Sequence, residues 1–366
     1  MQLLKYKFRI YPTNGQELLL NQICGNQRYC WNWFLDKEIK SYQETGKFRF
    51  YNQNAKELVG LKQELDWLGV APACSLQQTL QYLNKALVQS FKAQNHQKGF
   101  PKFKKKTSGR SFSLVNTSFK TNFKKGLFWV NRNLGIKIKQ HRDLPSDFKS
   151  CQIKQEGTEW YVVLTCEKKK AEKKPINKIT GLDLNSKKFV STDQEFVIPK
   201  PFRENQAKLK ELQRSLARRT RFSKNWFKCL VQLKKVNQHC KRIMLDYFHK
   251  LSLHLCKTYD LITIEDLDVK AIQQKFGKVI QNNGFGLFRQ LLEYKSELYG
   301  TSLVIADRYY PSSQLCSCCG TRQKLKLSDR IYRCDCGLSI DRDYNAAINL
   351  ANYGRDAAGV DYLKKN

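Results

Sequence analysis

Apolar and polar residues alternate near the start of the chain and then fall into helical spacing. Residues 3–11 place Tyr6, Phe8 and Ile10 on one side and basic residues on the other, which predicts a half-buried strand. From 16 to 97, apolar residues recur at intervals of three or four, which predicts helices. We therefore expect one strand followed by a helical region.

Strands mixed with helices are predicted over the rest of the chain. A basic segment with Gly and Pro covers 98–112, strand-like pieces return over 113–166, and the charged run 167–175 predicts a linker. After the linker we expect a strand and hairpin over 178–198 that turns near Thr192 and Asp193. A basic helix over 203–222 and a longer helix through 230–251 follow. The remaining expected elements are a strand over 261–267, a helix over 284–299, a strand over 302–308 and a helix start within 340–350. This order predicts a multidomain α/β protein.

Charge narrows the choice of partner. The 366 residues, enough for two or three domains, hold 66 Lys and Arg against 32 Asp and Glu, a net charge of +34. A hydrophobic fraction of 41% excludes a disordered polycation. Nucleic acid is the expected partner, and a membrane surface is a weaker alternative because the basic residues are not gathered on one amphipathic helix.

The apolar runs and the cysteines predict a soluble intracellular protein. No apolar run approaches the roughly 18 residues that a membrane span needs. The first residues interleave basic and apolar side chains, unlike a signal peptide. Thirteen cysteines, an odd number, then indicate reduced thiols.

Four cysteines have the spacing of a structural zinc site. Cys316 and Cys319 form one C-x-x-C-G knuckle, and Cys334 and Cys336 form a shorter C-x-C-G knuckle fourteen residues later. Cys318 is a possible substitute ligand, and loose free thiols are the alternative. We interpret the other eight cysteines, including Cys240, as core thiols.

Several carboxylates lie near the ends of apolar strands or precede a helix. Asp183 lies near the end of ITGLDL and shares a strand face with Ile179 and Gly181, and Glu265 near the end of LITIEDL shares one with Leu261 and Thr263. Asp341 and Asp343 both precede an Ala-rich helix. Buried carboxylates that converge need cations, and two Mg²⁺ ions in such a cluster stabilise the attacking and leaving oxygens of a phosphodiester. Taken singly, Asp343 could be a helix N-cap and Asp183 could cap a turn.

Other polar residues are expected to be structural. Asp266 falls on the strand face opposite Glu265, and Asp268 is treated with it. His249 and His254 lie on a polar-flanked helix and are expected to be solvated. No phosphate-binding G-x-x-x-x-G-K-[ST] loop occurs, which disfavours an ATP-driven enzyme.

Two basic stretches carry aromatic residues, a combination suited to following a nucleic-acid backbone while stacking on bases. The first holds Lys102, Lys104, Lys105 and Lys106 beside Phe100 and Phe103, and the second is RRTRF, beginning with Arg218 and Arg219. A solvated surface is the alternative for each.

An ordered set of motifs resembles the TnpB family, the transposon-encoded RNA-guided nucleases considered ancestral to type V CRISPR effectors. The motifs are GLDL (181–184), ITIEDL (262–267), FRQLLEYKSELYG (288–300), PSSQLCSCCG (311–320) and DRDYNAAINL (341–350), with KFRIYPT (7–13) and GFPKFKKK (99–106) also similar. The similarity spans nearly the whole chain.

The resemblance implies a domain layout. It comprises a RuvC-like, RNase H-type nuclease domain at 176–315 and 338–366 with a zinc-finger insert at 316–337, and a β-barrel wedge domain at 1–14 and 98–175 interrupted by a helical recognition domain at 15–97.

The resemblance also implies roles and partners. Asp183, Glu265 and Asp343 map to a catalytic triad that holds Mg²⁺, while Tyr51 and Gln77 fall near positions that contact a short duplex motif beside the target. The implied partners are a guide RNA derived from the transposon end and a double-stranded DNA target. The implied location is a prokaryotic cytoplasm, in association with the nucleoid.

Two departures from the family pattern leave alternatives open. Asn185 stands where the family usually has Gly, and the second cysteine knuckle is one residue short, which puts zinc occupancy in question. An RNA-guided regulator that does not cut is one alternative, although all three carboxylates are present. A structure-selective RuvC-type nuclease that works without RNA is another, and a DNA-strand transferase is less favoured. Neither the guide sequence nor the oligomeric state follows from the sequence.

Overall fold

The structure is a computed structural model of the chain. It describes residues 1–91, 99–106, 109–115, 123–124, 126–131, 133–143, 148–185, 187–267, 284–326 and 329–360. The chain divides into two compact units, 1–168 and 169–366, at a point inside the predicted linker. Each unit has its own sheet and its own core.

A seven-stranded antiparallel sheet organises the first unit, in the order β2-β6-β7-β1-β5-β4-β3. Its strands are β1 (Gln2–Tyr11), β2 (Ser111–Val115), β3 (Phe123–Lys124), β4 (Leu127–Asn131), β5 (Leu134–Lys139), β6 (Phe148–Glu156) and β7 (Glu159–Lys168). The predicted alternation of β1 is confirmed, because Phe8 and Ile10 are buried in the hydrophobic core of this unit. In the described strands, β2 and β3 are the outer members of the order, so closure into a barrel stays a prediction.

Helices cover the predicted helical region of the first unit. They are α1 (Asn14–Thr45), α2 (Phe50–Glu64), a 3-10 turn (Asp66–Val70) and α3 (Ala73–Phe91), while residues 92–98 lie outside the described residues. Thr13 caps α1 through a reciprocal hydrogen-bond pair with Gln16, and Gly46 ends it in the left-handed region. The apolar stripe of α3, including Leu76 and Leu80, packs into the same core as Phe8.

The second unit contains a mixed five-stranded sheet in the order β10-β9-β8-β11-β12. Its strands are β8 (Ile179–Leu184), β9 (Lys188–Val190), β10 (Glu195–Val197), β11 (Leu261–Glu265) and β12 (Ser302–Ala306). β8, β11 and β12 are parallel, whereas β8, β9 and β10 are antiparallel. The hairpin between β9 and β10 turns through Ser191–Gln194, as predicted.

Among its described residues, the second unit also contains five helices and a small hairpin. The helices are α4 (Pro201–Glu204), α5 (Gln206–Arg218), α6 (Lys224–Thr258), α7 (Phe285–Tyr299) and α8 (Arg342–Ala357), and the hairpin pairs β13 (Ile331–Arg333) with β14 (Ser339–Asp341). The prediction of a single helix over 203–222 is wrong at both ends, because the helix is interrupted at Asn205 and α5 ends at Arg218. No helix in the described part of the chain is both long enough and apolar enough to cross a membrane.

The two faces of the second sheet have different neighbours. Leu182, Ile262 and Ile264 belong to a core that includes apolar side chains of α6 and α7. The residues that alternate with them along the strands, such as Gly181 and Thr263, lie on the other face and approach α8. This division decides which side chains of β8 and β11 meet α8.

The prediction that the other eight cysteines are core thiols is confirmed in outline. All are free thiols, and all but the half-buried Cys74 are buried. Burial raises the pKa of Cys24 and of Cys30 to about 12.

Candidate active site

Parallel pairing of β8 and β11 brings two of the predicted carboxylates together. Leu182 is the register partner of Ile264, so the next residues along the two strands are Asp183 and Glu265. Side chains one step further along a strand point to the opposite face. Asp183 and Glu265 therefore leave the apolar core and share the face that α8 covers.

The third carboxylate comes from the first turn of α8. Asp341 is the N-cap of this helix, and its Oδ1 accepts hydrogen bonds from the backbone N–H of Asp343 at 2.8 Å and of Tyr344 at 3.2 Å. The alternative in which Asp343 is the N-cap is therefore wrong. Because Asp341 performs the capping, the Asp343 carboxylate is left to face Asp183.

Two glycines allow α8 to lie close to the strands. A Cβ added at Gly181 of β8 would lie 2.1 Å from the carbonyl oxygen of Ala347. One added at Gly354 of α8 would lie 1.8 Å from Oγ1 of Thr263 on β11. The backbones thus approach more closely than any larger residue permits, and this approach fixes the position of Asp343 relative to β8.

Asn185 connects two of the carboxylates. Its Nδ2 donates a hydrogen bond to Oδ2 of Asp343 at 2.9 Å and lies 3.4 Å from Oδ2 of Asp183. Its Oδ1 accepts from the backbone N–H groups of Lys187 and Lys188, both at 3.3 Å, so the orientation of the amide is fixed. In the sequence, Asn185 stands out only as a departure from a glycine. A polar residue two positions after a strand-end carboxylate was the available signal.

The three carboxylates have a high electrostatic cost without a cation. Burial, then the charges of Glu265 and Asp343, raise the pKa of Asp183 to about 7. Burial also raises the pKa of Glu265, although the Ser312 hydroxyl donates a hydrogen bond to it. Hard carboxylate oxygens in a partly buried cluster are the donors that Mg²⁺ prefers. The residues present therefore fit a divalent cation.

Neighbouring polar residues lie outside this cluster, as predicted. Asp266 forms ion pairs with Arg289 at 2.6 Å and Arg308 at 2.8 Å, and the hydrogen bonds from these two arginines lower its pKa. His249 and His254 are exposed on α6. Asp268 lies outside the described residues.

The cysteine cluster forms as predicted, including its short second knuckle. One sulfur from each of Cys316, Cys319, Cys334 and Cys336 lies within 4.8 Å of the others, while Cys318 is exposed and is not part of the group. Four thiols this close together fit the tetrahedral coordination of a structural zinc ion.

The backbone around the cysteines and helix α8 support this cluster. Gly320 and Gly337 follow the knuckles with φ of 76° and 91°, in the left-handed region. Asn345 of α8 donates to the carbonyl oxygen of Leu315 at 2.6 Å and accepts from the N–H of Ser317 at 3.0 Å. The helix that carries Asp343 therefore also holds the first knuckle.

The predicted basic contacts lie on both units. Lys102 and Lys106 are exposed. Lys104 differs because its Nζ lies 3.7 Å from the centroid of the Trp31 ring, and burial lowers its pKa to about 8. Hydrogen bonds from Trp31 Nε1 to the Lys102 carbonyl and from Asn32 Nδ2 to the Lys104 carbonyl hold this segment on α1. Its conformation is thus set by α1.

The remaining predicted contacts are Lys105, in the same non-helical basic segment, and four residues on or next to helices. Lys105 is exposed beside Lys106, and Arg218 and Arg219 are exposed at the end of α5. Tyr51 lies half-buried near the start of α2, and Gln77 is exposed on α3. Their roles in binding nucleic acid stay predictions.

Sequence profiles of three families match the chain. They are described as “Helix-turn-helix domain” over 1–47, “Probable transposase” over 161–275 and “Cas12f1-like, TNB domain” over 285–350. Over the first of these ranges the structure has strand β1 and helix α1. The third range contains the first cysteine knuckle and Asp343.

Full-length similarity extends to curated proteins. The chain is 30% identical over 363 residues to a Streptomyces pristinaespiralis protein named “Putative RNA-guided DNA endonuclease”, covering 96% of this chain and 90% of that one. It is 26% identical to the Escherichia coli K12 protein InsQ of the same description, covering 95% and 92%. A shorter match, 34% over 131 residues, is to the TnpB-like protein L79 of Acanthamoeba polyphaga mimivirus, covering 33% of this chain and 25% of that one.

The fold is similar to that of a chain in a solved structure. It is a Cas12f1 chain from a complex with sgRNA and target DNA, with a TM-score of 0.56 at 11% identity, covering 96% of this chain and 99% of that one.

Proposed function

The chain belongs to the TnpB family, and from this premise we propose that it is an RNA-guided DNA endonuclease with its cutting centre in the second unit. The observation that carries the proposal is the meeting of Asp183, Glu265 and Asp343 on the α8 face of the mixed sheet. Relatives similar over nearly the whole chain bear the same description. The net charge of +34 supports nucleic acid as the partner.

The strand order supports a RuvC-like nuclease fold for the second unit. Three antiparallel strands continue into two strands parallel to the central one, and a helix crosses them with a carboxylate in its first turn. The cysteine cluster would then be a zinc-finger insert whose ion stabilises the fold. In the first unit, the sheet corresponds to the proposed wedge domain and α1–α3 to the recognition domain, with Tyr51 and Gln77 as proposed contacts to the duplex motif.

The chain's own residues would prepare the site for a divalent metal. Asp183, Glu265 and Asp343 would hold Mg²⁺, which supplies a Lewis acid for phosphodiester oxygens and lowers the pKa of water. Asn185 orients Asp183 and Asp343 through an amide that is itself fixed by the backbone. Ser312 orients Glu265. These hydrogen bonds would fix the orientation of the carboxylates before substrate arrives, so that less rearrangement is needed for the reaction.

A cutting enzyme is favoured over a regulator that only binds DNA. A regulator would have no use for this group of three carboxylates, in which burial and then the repulsion from Glu265 and Asp343 raise the pKa of Asp183. The guide RNA would pair with the target strand while the protein reads duplex shape and a short flanking motif. Association with the nucleoid follows from the same DNA partner.

The proposal is tested by cleavage of a matched target with the RNA that copurifies from cells holding the native flanking DNA. Sequencing should find one dominant structured RNA with a variable end. Glu265→Gln should abolish cutting while RNA binding persists, whereas Asp266→Asn, the adjacent residue on the opposite strand face, should still cut. Heterogeneous RNA that salt removes, together with cutting of branched DNA by RNA-free protein, would overturn the guide in favour of a structure-selective nuclease.

A further inference from the structure

The turn that joins α5 and α6 presents a group of aromatic rings to solvent. Phe222 is 62% exposed and Phe227 is 49% exposed. Trp226 is half-buried between them, with ring centroids 5.6 Å from Phe222 and 5.1 Å from Phe227. The Arg221 guanidinium lies 5.1 Å from the Phe222 ring centroid. We call Arg221, Phe222, Trp226 and Phe227 the hairpin tip.

The backbone at Phe222 is in a conformation that favours glycine. Its φ is +70°, and among described non-glycine residues only Phe50 shares a positive φ. A left-handed conformation is strained for a bulky side chain, and the strain is normally offset by what the side chain contacts. Phe222 buries little of its ring within the chain, so the fold itself gains little from a phenylalanine here. The ring is therefore more useful to a molecule that binds the tip.

The charge around the tip identifies that molecule. Residues 206–230 contain eight Lys and Arg and one Glu, which gives +7 (8 − 1). Four basic residues and one acidic residue line a groove of about 720 Å³ along α5 and the residue after it, namely Lys210, Glu211, Arg214, Arg218 and Arg219. A two-fold contact with a second copy would bring the same positive surfaces together, which is unfavourable. A polyanion is complementary to the groove.

We propose that the hairpin tip stacks on an unpaired base of single-stranded nucleic acid while the α5 groove follows its phosphates. The inference rests on the proposed function, in which both the guide RNA and a displaced DNA strand offer such a base. Aromatic faces accept any base, and basic grooves follow the backbone without reading sequence. Stacking therefore anchors the strand without specifying it.

Substitutions at Phe222 separate stacking from folding. Phe222→Gly removes the ring and relieves the left-handed backbone, so this variant should melt at the same temperature as the wild type or higher. Phe222→Leu keeps apolar bulk and backbone strain but has no aromatic face. Phe222→Trp keeps the face and should bind as the wild type does.

Binding is read at the tip itself with full-length protein. Short single-stranded RNA and DNA oligonucleotides of mixed sequence, each with a photoreactive thio-base, should crosslink to the peptide that holds Trp226 and Phe227. The oligonucleotide concentration that gives half-maximal crosslinking should rise about 5- to 100-fold in Phe222→Gly and Phe222→Leu. The slope of log affinity against log salt should not change, whereas Arg218→Gln should reduce its magnitude by about 0.7.

Three results would overturn the proposal. One is no crosslink in this peptide with either oligonucleotide. The second is a Phe222→Leu variant that binds as tightly as the wild type. The third is a wild-type dimer that Phe222→Gly converts to a monomer without loss of crosslinking affinity. If guided cleavage occurs without the crosslink, this inference fails and the proposed function stands. If the crosslink forms but no guide RNA copurifies, the proposed function fails and this inference stands.

Discussion

Replacing Asp183 by Asn should stabilise the metal-free protein while abolishing cleavage. The substitution keeps the shape of the side chain but removes a charge that is buried next to Glu265 and Asp343. In the wild type, the pKa of Asp183 rises from 3.8 to about 7. Three pK units correspond to about 4 kcal/mol of electrostatic cost when the group is ionised.

The sign of the pH dependence follows from the direction of this shift. Because the folded pKa lies above the unfolded one, the folded chain holds the proton between about pH 4 and pH 7 and the unfolded chain does not. The stabilisation that comes from protonated Asp183 is therefore complete below about pH 4 and is lost as the pH rises through about 7. Between pH 5 and pH 8, the wild type should lose about 3 kcal/mol relative to Asp183→Asn.

Thermal melting at pH 5 and pH 8 measures this difference. Buffers should be freed of divalent ions by resin rather than by a soluble chelator, so that zinc stays on the cysteines. For a unit of this size, the variant's advantage should widen by about 5–10 °C at the higher pH. Added Mg²⁺ should raise the melting temperature of the wild type far more than that of the variant. Melting curves that shift in parallel with pH, or equal stabilisation by Mg²⁺, would refute the reasoning.

Three further predictions concern the support of the site. Gly354→Ala should destabilise the protein by about 1–3 kcal/mol in urea unfolding because its methyl group meets β11, whereas Gly286→Ala on α7, with open space around it, should not. Cys334→Ser should lower the bound zinc measured by elemental analysis, and Cys318→Ser should leave it unchanged. Asn185→Ala removes a hydrogen bond to charged groups, so single-turnover cleavage should slow by about tenfold or more; an unchanged rate would show that the carboxylates need no such donor.

Local patterns predicted the elements that carry the chemistry. The alternation in β1, the apolar strand before Asp183 and the spacing of the knuckle cysteines each arise from neighbours in sequence, and the structure contains all three. The shared face of Asp183 and Glu265 also followed, because strand residues alternate with a fixed period.

Contacts between distant segments were not predictable in this way. Asn185 meets Asp343 across 158 positions of sequence, and Ser312 meets Glu265 across 47. The close approach of α8 to β8 and β11, which Gly181 and Gly354 allow, also joins segments that are far apart in sequence. The end of α5 at Arg218 depends on how this helix folds back on α6. The apolar stripe of α5 alone does not predict where the helix ends.

The distance in sequence between the carboxylates has a consequence during protein synthesis. β8 and β11 emerge from the ribosome with Asp183 and Glu265, but Asp343 follows β11 by about eighty residues, on a helix that must still dock on the sheet. A nascent or prematurely terminated chain lacking α8 keeps the basic first unit and hairpin tip without a complete carboxylate cluster. If the cluster cuts as proposed, such a chain would bind nucleic acid near its site of synthesis without cutting it, and completion of the polypeptide would delay the hazardous activity.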